Sequence, residues 1–105
     1  MPEFVVVMIT ASSSREAIMI GETLVNEKLA ACTNLISQVQ SIFFWKNKLC
    51  KENEALLLIK TCTHLLKDIK KRITELHSYE VPEIIVLPVV DGSEEYLSWI
   101  KDTVQ

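Results

Sequence analysis

A long two-stranded hairpin running from Cys32 to Thr61 constrains the fold of this chain more than any other feature. Residues 39–45 alternate between two faces and are rich in aromatic and β-branched side chains, which is the pattern of a β-strand. Asn47 lies at the tip, and asparagine readily takes the positive-φ position of a turn. The unbroken apolar run 55–59 then predicts a returning strand that is covered on both faces.

The length of this hairpin predicts association with other subunits. A continuous strand from Cys32 to Trp45 would span about 46 Å at roughly 3.3 Å per residue. A compact domain of this size has a radius of gyration of about 13 Å, or a diameter of about 33 Å as a uniform sphere. The hairpin should therefore project from its own domain, and Phe43, Phe44 and Trp45 are poor residues for a water-exposed tip. We expect the tip to be buried on another subunit, although a kink near residues 37–38 would shorten the strand.

The segments on either side of the hairpin predict strands and helices in the order βαββαβ, followed by a short helix. An apolar strand covers residues 4–10, and Ser13 and Glu16 have the spacing of a capping box that begins the first helix. Helical periodicity covers residues 64–77, and a last strand is expected over residues 81–89. Two βα units around a central hairpin predict an α+β, ferredoxin-like sandwich with a C-terminal helix.

Length and composition limit the classes of protein to which the chain can belong. A chain of 105 residues with 2 glycines and 3 prolines predicts one domain over residues 1–105. Hydrophobic residues make up 49% of the sequence, which is high for a small monomer and favours association. A net charge of −3 leaves no electrostatic footprint for nucleic acid or an anionic membrane. The basic run 67–72 predicts the solvated face of an amphipathic helix.

The N-terminal sequence and the cysteines predict a cytoplasmic protein. Residues 1–4 have no basic stretch followed by an apolar run and a cleavage site, so they do not form a signal peptide. No apolar run approaches the roughly 18 residues that a bilayer span requires. Cys32, Cys50 and Cys62 are odd in number and lack C-x-x-C spacing, which favours reduced thiols.

Five short motifs occur in order along the chain, and each is weak by itself. They are L-A-A-C-T-N at 29–34, S-I-F-F-W at 41–45, L-I-K-T at 58–61, H-S-Y-E-V-P-E at 77–83 and Y-L-S-W-I at 96–100. Together, at these separations, they resemble the CutA divalent-cation tolerance protein family across nearly the whole chain. The resemblance implies a tight homotrimer in which the long hairpins pair between subunits. It also implies an architectural similarity to the PII-type signalling trimers.

The same resemblance implies a role in tolerance to copper and other divalent ions, and it points to His77. Copper sites use converging His and Cys donors. The family pattern has a Cys near the end of the first strand and paired His residues before a Tyr, but this chain has Ile9 and Leu76 at two of those positions. His77 remains as the matching metal ligand, so we expect copper or another divalent cation to bind weakly. The alternative role of His77 is a histidine at a helix C-terminus, stabilised by the helix dipole.

The other potential metal donors predict structural roles. Cys62 and His64 have C-x-H spacing, but two ligands fall short of the three or four that a selective site requires. We expect both to be residues at the end of a strand. Cys32 is expected to be a small buried residue, and Cys50 an exposed residue of the hairpin.

No sequence motif predicts an enzyme. The chain has no G-x-S-x-G elbow, P-loop, H-E-x-x-H or dinucleotide fingerprint. The alternative to metal tolerance is a PII-like trimeric signalling or scaffold module that binds a small metabolite or a protein partner at subunit clefts. We expect four polar residues of the motifs near such a cleft, although they could equally order the loop before the last strand: Tyr79, Glu80, Glu83 and Lys60.

Overall fold

The computed structural model describes residues 2–105 and has the predicted α+β, ferredoxin-like architecture. Four strands form one antiparallel sheet in the order β2-β3-β1-β4. Two helices, α1 and α2, pack on one face of this sheet, and α3 packs on part of the other. The elements are β1 (Phe4–Ala11), α1 (Ser14–Asn26), β2 (Cys32–Trp45), β3 (Lys48–Cys62), α2 (Leu66–Leu76), β4 (Ile84–Pro88) and α3 (Glu94–Thr103).

The boundaries of two elements, α2 and β4, differ from the prediction at both ends. The helix expected over residues 64–77 begins later, because Thr63–Leu65 forms a 3-10 turn. It also ends one residue earlier, since His77 has extended backbone angles. The last strand covers Ile84–Pro88 rather than residues 81–89, and residues before it form a loop. That loop is held by side chains from distant elements, which local periodicity does not encode.

The sheet is well covered on one face and only partly covered on the other. Val7 and Ile59 are fully buried beneath α1 and α2. The alternate residues Leu56 and Leu58 are half-buried on the opposite face, where Ile85 of β4 is 44% exposed. The prediction that residues 55–59 are covered on both faces is therefore wrong within one chain.

The predicted hairpin is present and sets the shape of the molecule. The Cα atoms of the chain have principal-axis extents of 45 × 25 × 23 Å, so the domain is elongated. Lys46 and Asn47 both have positive φ angles, 51° and 63°, as in the type I′ turns that close two-residue hairpins. Beside this turn, Phe44 is 74% exposed and Trp45 is 59% exposed in the single chain.

At residues 37–38, where a kink would shorten the predicted strand, β2 has a β-bulge. The pairing of β2 with β3 shifts register between Ile36 and Val39, so two residues of β2 oppose one residue of β3. The carbonyl oxygen of Ser37 accepts a hydrogen bond of 3.0 Å from Ser14 Oγ at the start of α1. The bulge therefore bends the hairpin and contacts the helix layer at the same place.

Only one half of the predicted capping box forms at the start of α1. Ser13 Oγ accepts from the Glu16 N–H at 3.1 Å, as expected. Glu16 Oε1 instead accepts from the Ser12 N–H at 3.1 Å, and Glu16 Oε2 accepts from the Ser78 N–H at 3.0 Å. The Glu16 carboxylate thus connects the start of α1 to the loop that follows α2.

The helices of the described chain are too short or too polar to cross a lipid bilayer.

Candidate functional site

His77 follows α2 directly and lies buried against the end of β1. Its side chain has no exposed surface. Nε2 lies 2.7 Å from the Thr10 carbonyl oxygen, and Nδ1 lies 3.0 Å from the Tyr79 backbone nitrogen. A carbonyl oxygen only accepts and a backbone N–H only donates, so these partners assign the neutral ring with its proton on Nε2. Both ring nitrogens of His77 are therefore engaged within the fold.

The residues around His77 form a hydrogen-bonded network that joins three elements. The Tyr79 ring packs on the His77 ring with centroids 4.7 Å apart, and the Tyr79 hydroxyl donates to Glu54 Oε2 at 2.8 Å. On the other side, Glu16 Oε1 lies 3.9 Å from His77 Nδ1. This network fixes the segment after α2 against β3 and the start of α1.

The network shifts the acidity of two of its members in opposite directions. Burial, together with the Glu54 carboxylate, raises the pKa of Tyr79, so the phenol remains a hydrogen-bond donor. Burial also acts to raise the pKa of Glu16, but hydrogen bonds from Ser78 and Ser12 outweigh it and lower that pKa. Glu16 is accordingly an ionised carboxylate over a wider acidic range than a free glutamate.

A groove of about 430 Å³ lies between this segment and the outer half of the hairpin. Its walls combine aromatic rings with carboxylates, and among the described residues that line it none is basic. The hairpin contributes one wall and the loop before β4 contributes the other. The six side chains that define its chemistry are Phe43, Trp45, Glu52, Tyr79, Glu80 and Glu83.

The groove brings together three of the four polar residues expected at a cleft. Tyr79, Glu80 and Glu83 line it, as the motif suggested. Lys60 does not, because its Nζ lies 3.5 Å from the Tyr96 hydroxyl and 5.6 Å from the centre of that ring. Lys60 is six residues beyond Glu54 on β3, a distance of about 20 Å along the strand. Within one chain Lys60 therefore lies apart from the other three, and its place at a cleft between subunits stays a prediction.

Cys62 and His64 do not converge into a site. Cys62 is the last residue of β3 and is buried against Ala31 and Ile100, and this burial raises the pKa of its thiol. His64 Nε2 lies 2.8 Å from the backbone oxygen of Gln105. Cys62 lies at the end of a strand as expected, whereas His64 lies in the 3-10 turn that follows the strand.

The two cysteines of the hairpin differ from their predicted environments. Cys32, expected to be buried, is half-buried because β2 is an edge strand of the sheet. Cys50, expected to be exposed, is also half-buried.

Three acidic residues of the site were not found from the sequence. Glu52 and Glu54 pair with Ser41 and Val39, so both side chains lie on the face of the hairpin that carries Trp45. The alternation of β3 from the turn onward could have indicated this face. The sequence places Glu16 in a capping box, and its bond to the distant Ser78 N–H has no local signal.

The site does not contain a ready-made metal centre. Within residues 2–105 of one chain, no three His, Cys, Asp or Glu side chains are placed to hold a metal ion together. His77 could bind a metal only by releasing the Thr10 carbonyl or the Tyr79 N–H. The described residues therefore do not fit a selective copper site within one chain.

A sequence model of one family, described as "CutA1 divalent ion tolerance protein", matches residues 5–103. The chain belongs to this family. The divalent-cation tolerance protein CutA of Thermus thermophilus is 43% identical over 97 residues, which cover 92% of this chain and 94% of that protein. The chloroplastic protein CutA of Arabidopsis thaliana is 36% identical over 94% of this chain but only 54% of its own length.

Solved structures of CutA1 proteins have the same fold. The structure of the Thermus thermophilus protein superposes with a TM-score of 0.95 at 41% identity, covering 97% of this chain and 99% of that one. The Oryza sativa CutA1 structure gives a TM-score of 0.96 at 33% identity, covering 99% and 95%. The resemblance seen in the five sequence motifs is confirmed, and so is the ferredoxin-like fold.

Proposed function

We propose that this CutA1-family chain acts in divalent-cation tolerance as a homotrimer of single-domain subunits that binds copper or another divalent cation weakly. The observation that carries the proposal is the arrangement of donors around the groove. Glu52, Glu80 and Glu83 bring carboxylates to one space with His77 behind them, yet no three donors within residues 2–105 converge. Scattered donors favour weak binding over a selective site, which needs three or four ligands in fixed geometry.

The exposed apolar surface of the single chain supports assembly. Beyond the bulge, Ile42, Phe44 and Leu49 are each more than half exposed, and the uncovered face of the sheet adds Ile85 and Leu87. Monomeric proteins rarely expose contiguous apolar patches larger than a few hundred Å². A homotrimer that pairs its hairpins between subunits would bury these side chains, as the family resemblance implies.

The burial of His77 explains why metal binding should be weak. A cation bound at Nδ1 or Nε2 must displace a hydrogen bond of the folded chain, which costs about 1–3 kcal/mol when a buried partner is left unpaired. We therefore expect copper affinity no tighter than micromolar, a binding free energy of about −8.2 kcal/mol.

Calorimetric titration with Cu²⁺ tests this assignment, and the two histidines provide a matched pair. His77→Ala should abolish most of the binding, whereas His64→Ala removes an imidazole that lies beside the C-terminal residue and should leave it intact. Nanomolar affinity that survives in His77→Ala would show that the site lies elsewhere.

Light scattering should give a mass near three times the 12.0 kDa chain, and a stable monomer at micromolar concentration would end the trimer proposal.

A second candidate function is a PII-like signalling or scaffold module, and the groove itself favours it. Its volume of about 430 Å³ falls within the roughly 300–1,000 Å³ of small-molecule sites, and it combines apolar rings with a few polar groups. A calorimetric screen of small metabolites separates this function from metal tolerance. Saturable binding of a metabolite, with weak binding of every divalent ion tested, would favour the module.

Three further expectations remain proposals. The chain is expected to lack enzymatic activity and to bind no nucleic acid. Cytoplasmic localisation also stays a prediction, because relatives carry the names chloroplastic in Arabidopsis thaliana and periplasmic in Archaeoglobus fulgidus.

A further inference from the structure

The groove between the hairpin and the loop before β4 combines aromatic side chains with negative charge. Phe43 and Trp45 are alternate residues of β2, so their side chains lie on the same face of the hairpin. Glu52 is on the partner strand, and Glu80 and Glu83 approach from the opposite wall. Three carboxylates therefore surround a space whose described lining residues include no positive charge.

Tyr79 adds a third aromatic ring whose position is fixed from behind. Its hydroxyl is bound to Glu54, and its ring packs on the buried His77 ring at an interplanar angle of 48°. Glu54 is itself only 9% exposed, and the neutral Tyr79 hydroxyl is its hydrogen-bond partner. Tyr79 thus gives the groove an aromatic side chain that is held in place by contacts and backed by a further negative charge.

We propose that this groove binds an organic ammonium ion, such as a quaternary or alkylated amine. The face of an aromatic ring attracts a cation through its quadrupole, and cages of such rings recognise quaternary ammonium groups. Alkyl groups on the nitrogen would contact Phe43 and Trp45, while the carboxylates neutralise the charge. Each part of the lining has a partner on such a ligand.

The lining fits this class better than the other small ligands. A divalent metal ion needs several oxygen ligands at about 2.0–2.6 Å, and within the described chain no three donors converge. An anion would be repelled by Glu52, Glu80 and Glu83. A neutral apolar ligand would displace water from the carboxylates without replacing the hydrogen bonds that the water makes.

This inference deepens the second candidate function by naming its ligand class, and it does not depend on copper binding. Phe43 and Trp45 belong to the outer hairpin, which the proposed trimer buries in part, so the groove lies at a subunit boundary. The proposal requires that the neighbouring subunit leaves open the sides of these two rings that line the groove. The full chain in its native assembly is therefore the form to test.

The experiment is a titration with choline, followed by calorimetry and by the fluorescence of Trp45. Trp99→Phe removes the only other tryptophan, which lies on α3 away from the groove. The matched probe is the neutral analogue of choline, in which a carbon atom replaces the ammonium nitrogen. We expect choline to bind saturably and to change the Trp45 emission, and the neutral analogue to bind at least about tenfold more weakly.

Two double variants separate the groove from general electrostatics. Glu80→Gln with Glu83→Gln removes two charges from the groove and should weaken choline binding about tenfold or more. Glu94→Gln with Glu95→Gln removes two charges from α3 and should change it by less than about twofold, since exposed distant charges are screened by salt.

Several results would overturn the inference. The first is equal affinity for choline and its neutral analogue, and the second is equal effects of the two double variants. The third is the absence of saturable binding up to about 10 mM choline, because a specific site should bind more tightly than this. The wild-type comparison of the two probes holds even if a variant misfolds. If one of these results is found while light scattering still shows a trimer, the proposed assembly stands and only the ligand class is wrong.

Discussion

At the scale of single residues, Glu16 connects more of the molecule than its place in the sequence suggests. Its carboxylate accepts hydrogen bonds from Ser12 before α1 and from Ser78 after α2, and it lies beside His77. One side chain thus connects the segment before α1 to the segment after α2. Because hydrogen bonds to a charged group are the stronger ones, Glu16 is the residue of this network whose loss should be felt most clearly.

The lowered pKa of Glu16 makes its contribution to stability depend on pH. A carboxyl group whose pKa is lower in the folded than in the unfolded chain stabilises the fold. This stabilisation is complete at pH values above the pKa of the unfolded chain, and it is lost as the pH falls through the pKa of the folded chain. We expect Glu16→Gln to lower the unfolding free energy by about 1–3 kcal/mol near neutral pH. The deficit should shrink below about pH 4.

Denaturant unfolding at a series of pH values measures this deficit. Glu22→Gln, an exposed carboxylate on the same helix, serves as the control and should have little effect at any pH. A deficit of Glu16→Gln that is constant from neutral to strongly acidic pH would contradict the assigned role of the carboxylate.

The sequence could predict the type of many residues in the site but not their partners. The motif at 77–83 pointed to His77, Tyr79, Glu80 and Glu83. Their hydrogen bonds reach Thr10 and Glu54, which are far away in the chain, and no local pattern encodes such contacts. The residue type of His77 therefore suggested a metal ligand. In the structure, both of its ring nitrogens are hydrogen-bonded within the fold.

At the scale of elements, the outer half of the hairpin should control assembly. Trp45→Glu places a carboxylate where the proposed trimer buries an indole, and an unpaired buried charge is costly, so the mass from light scattering should fall toward that of a monomer. Thr74→Glu introduces the same charge on the exposed face of α2 and should leave the mass unchanged. A Trp45→Glu protein that remains fully trimeric would remove the hairpin tip from the interface.

The elements that could be predicted are those whose pattern is local. The hairpin and the two βα units follow from periodicities of two and 3.6 residues. The start of β4 could not be placed, because residues 77–83 are held by contacts to β1, β3 and α1 rather than by their own pairing. The groove could not be predicted for the same reason, because its two walls come from segments that are distant in the sequence.

At the scale of the whole molecule, the uneven covering of the sheet bears on thermal stability. One face is closed by α1 and α2, whereas the other leaves Leu87 and the hairpin tip open in a single chain. If three chains share this face, the unfolding free energy includes the free energy of association. We therefore expect a melting temperature above the roughly 45–65 °C of typical mesophilic domains.

Thermal unfolding followed by tryptophan fluorescence over about a hundredfold range of protein concentration tests this expectation. The midpoint should rise with concentration if unfolding is reversible, because dissociation accompanies it. A reversible transition below about 60 °C whose midpoint ignores concentration would contradict the shared face.

The bulge opposite Ala55 makes the hairpin a lever. Trp45 lies seven residues beyond Gln38, about 23 Å along the strand, so a change of roughly 10° in the bend would move the tip by about 4 Å. Ser14 of α1 holds the bulge through the Ser37 carbonyl, so the point at which the hairpin bends is fixed to the helix layer of the same chain. In the proposed trimer, the angle at which neighbouring chains meet would therefore be set at the bulge, far from the surface where the chains touch.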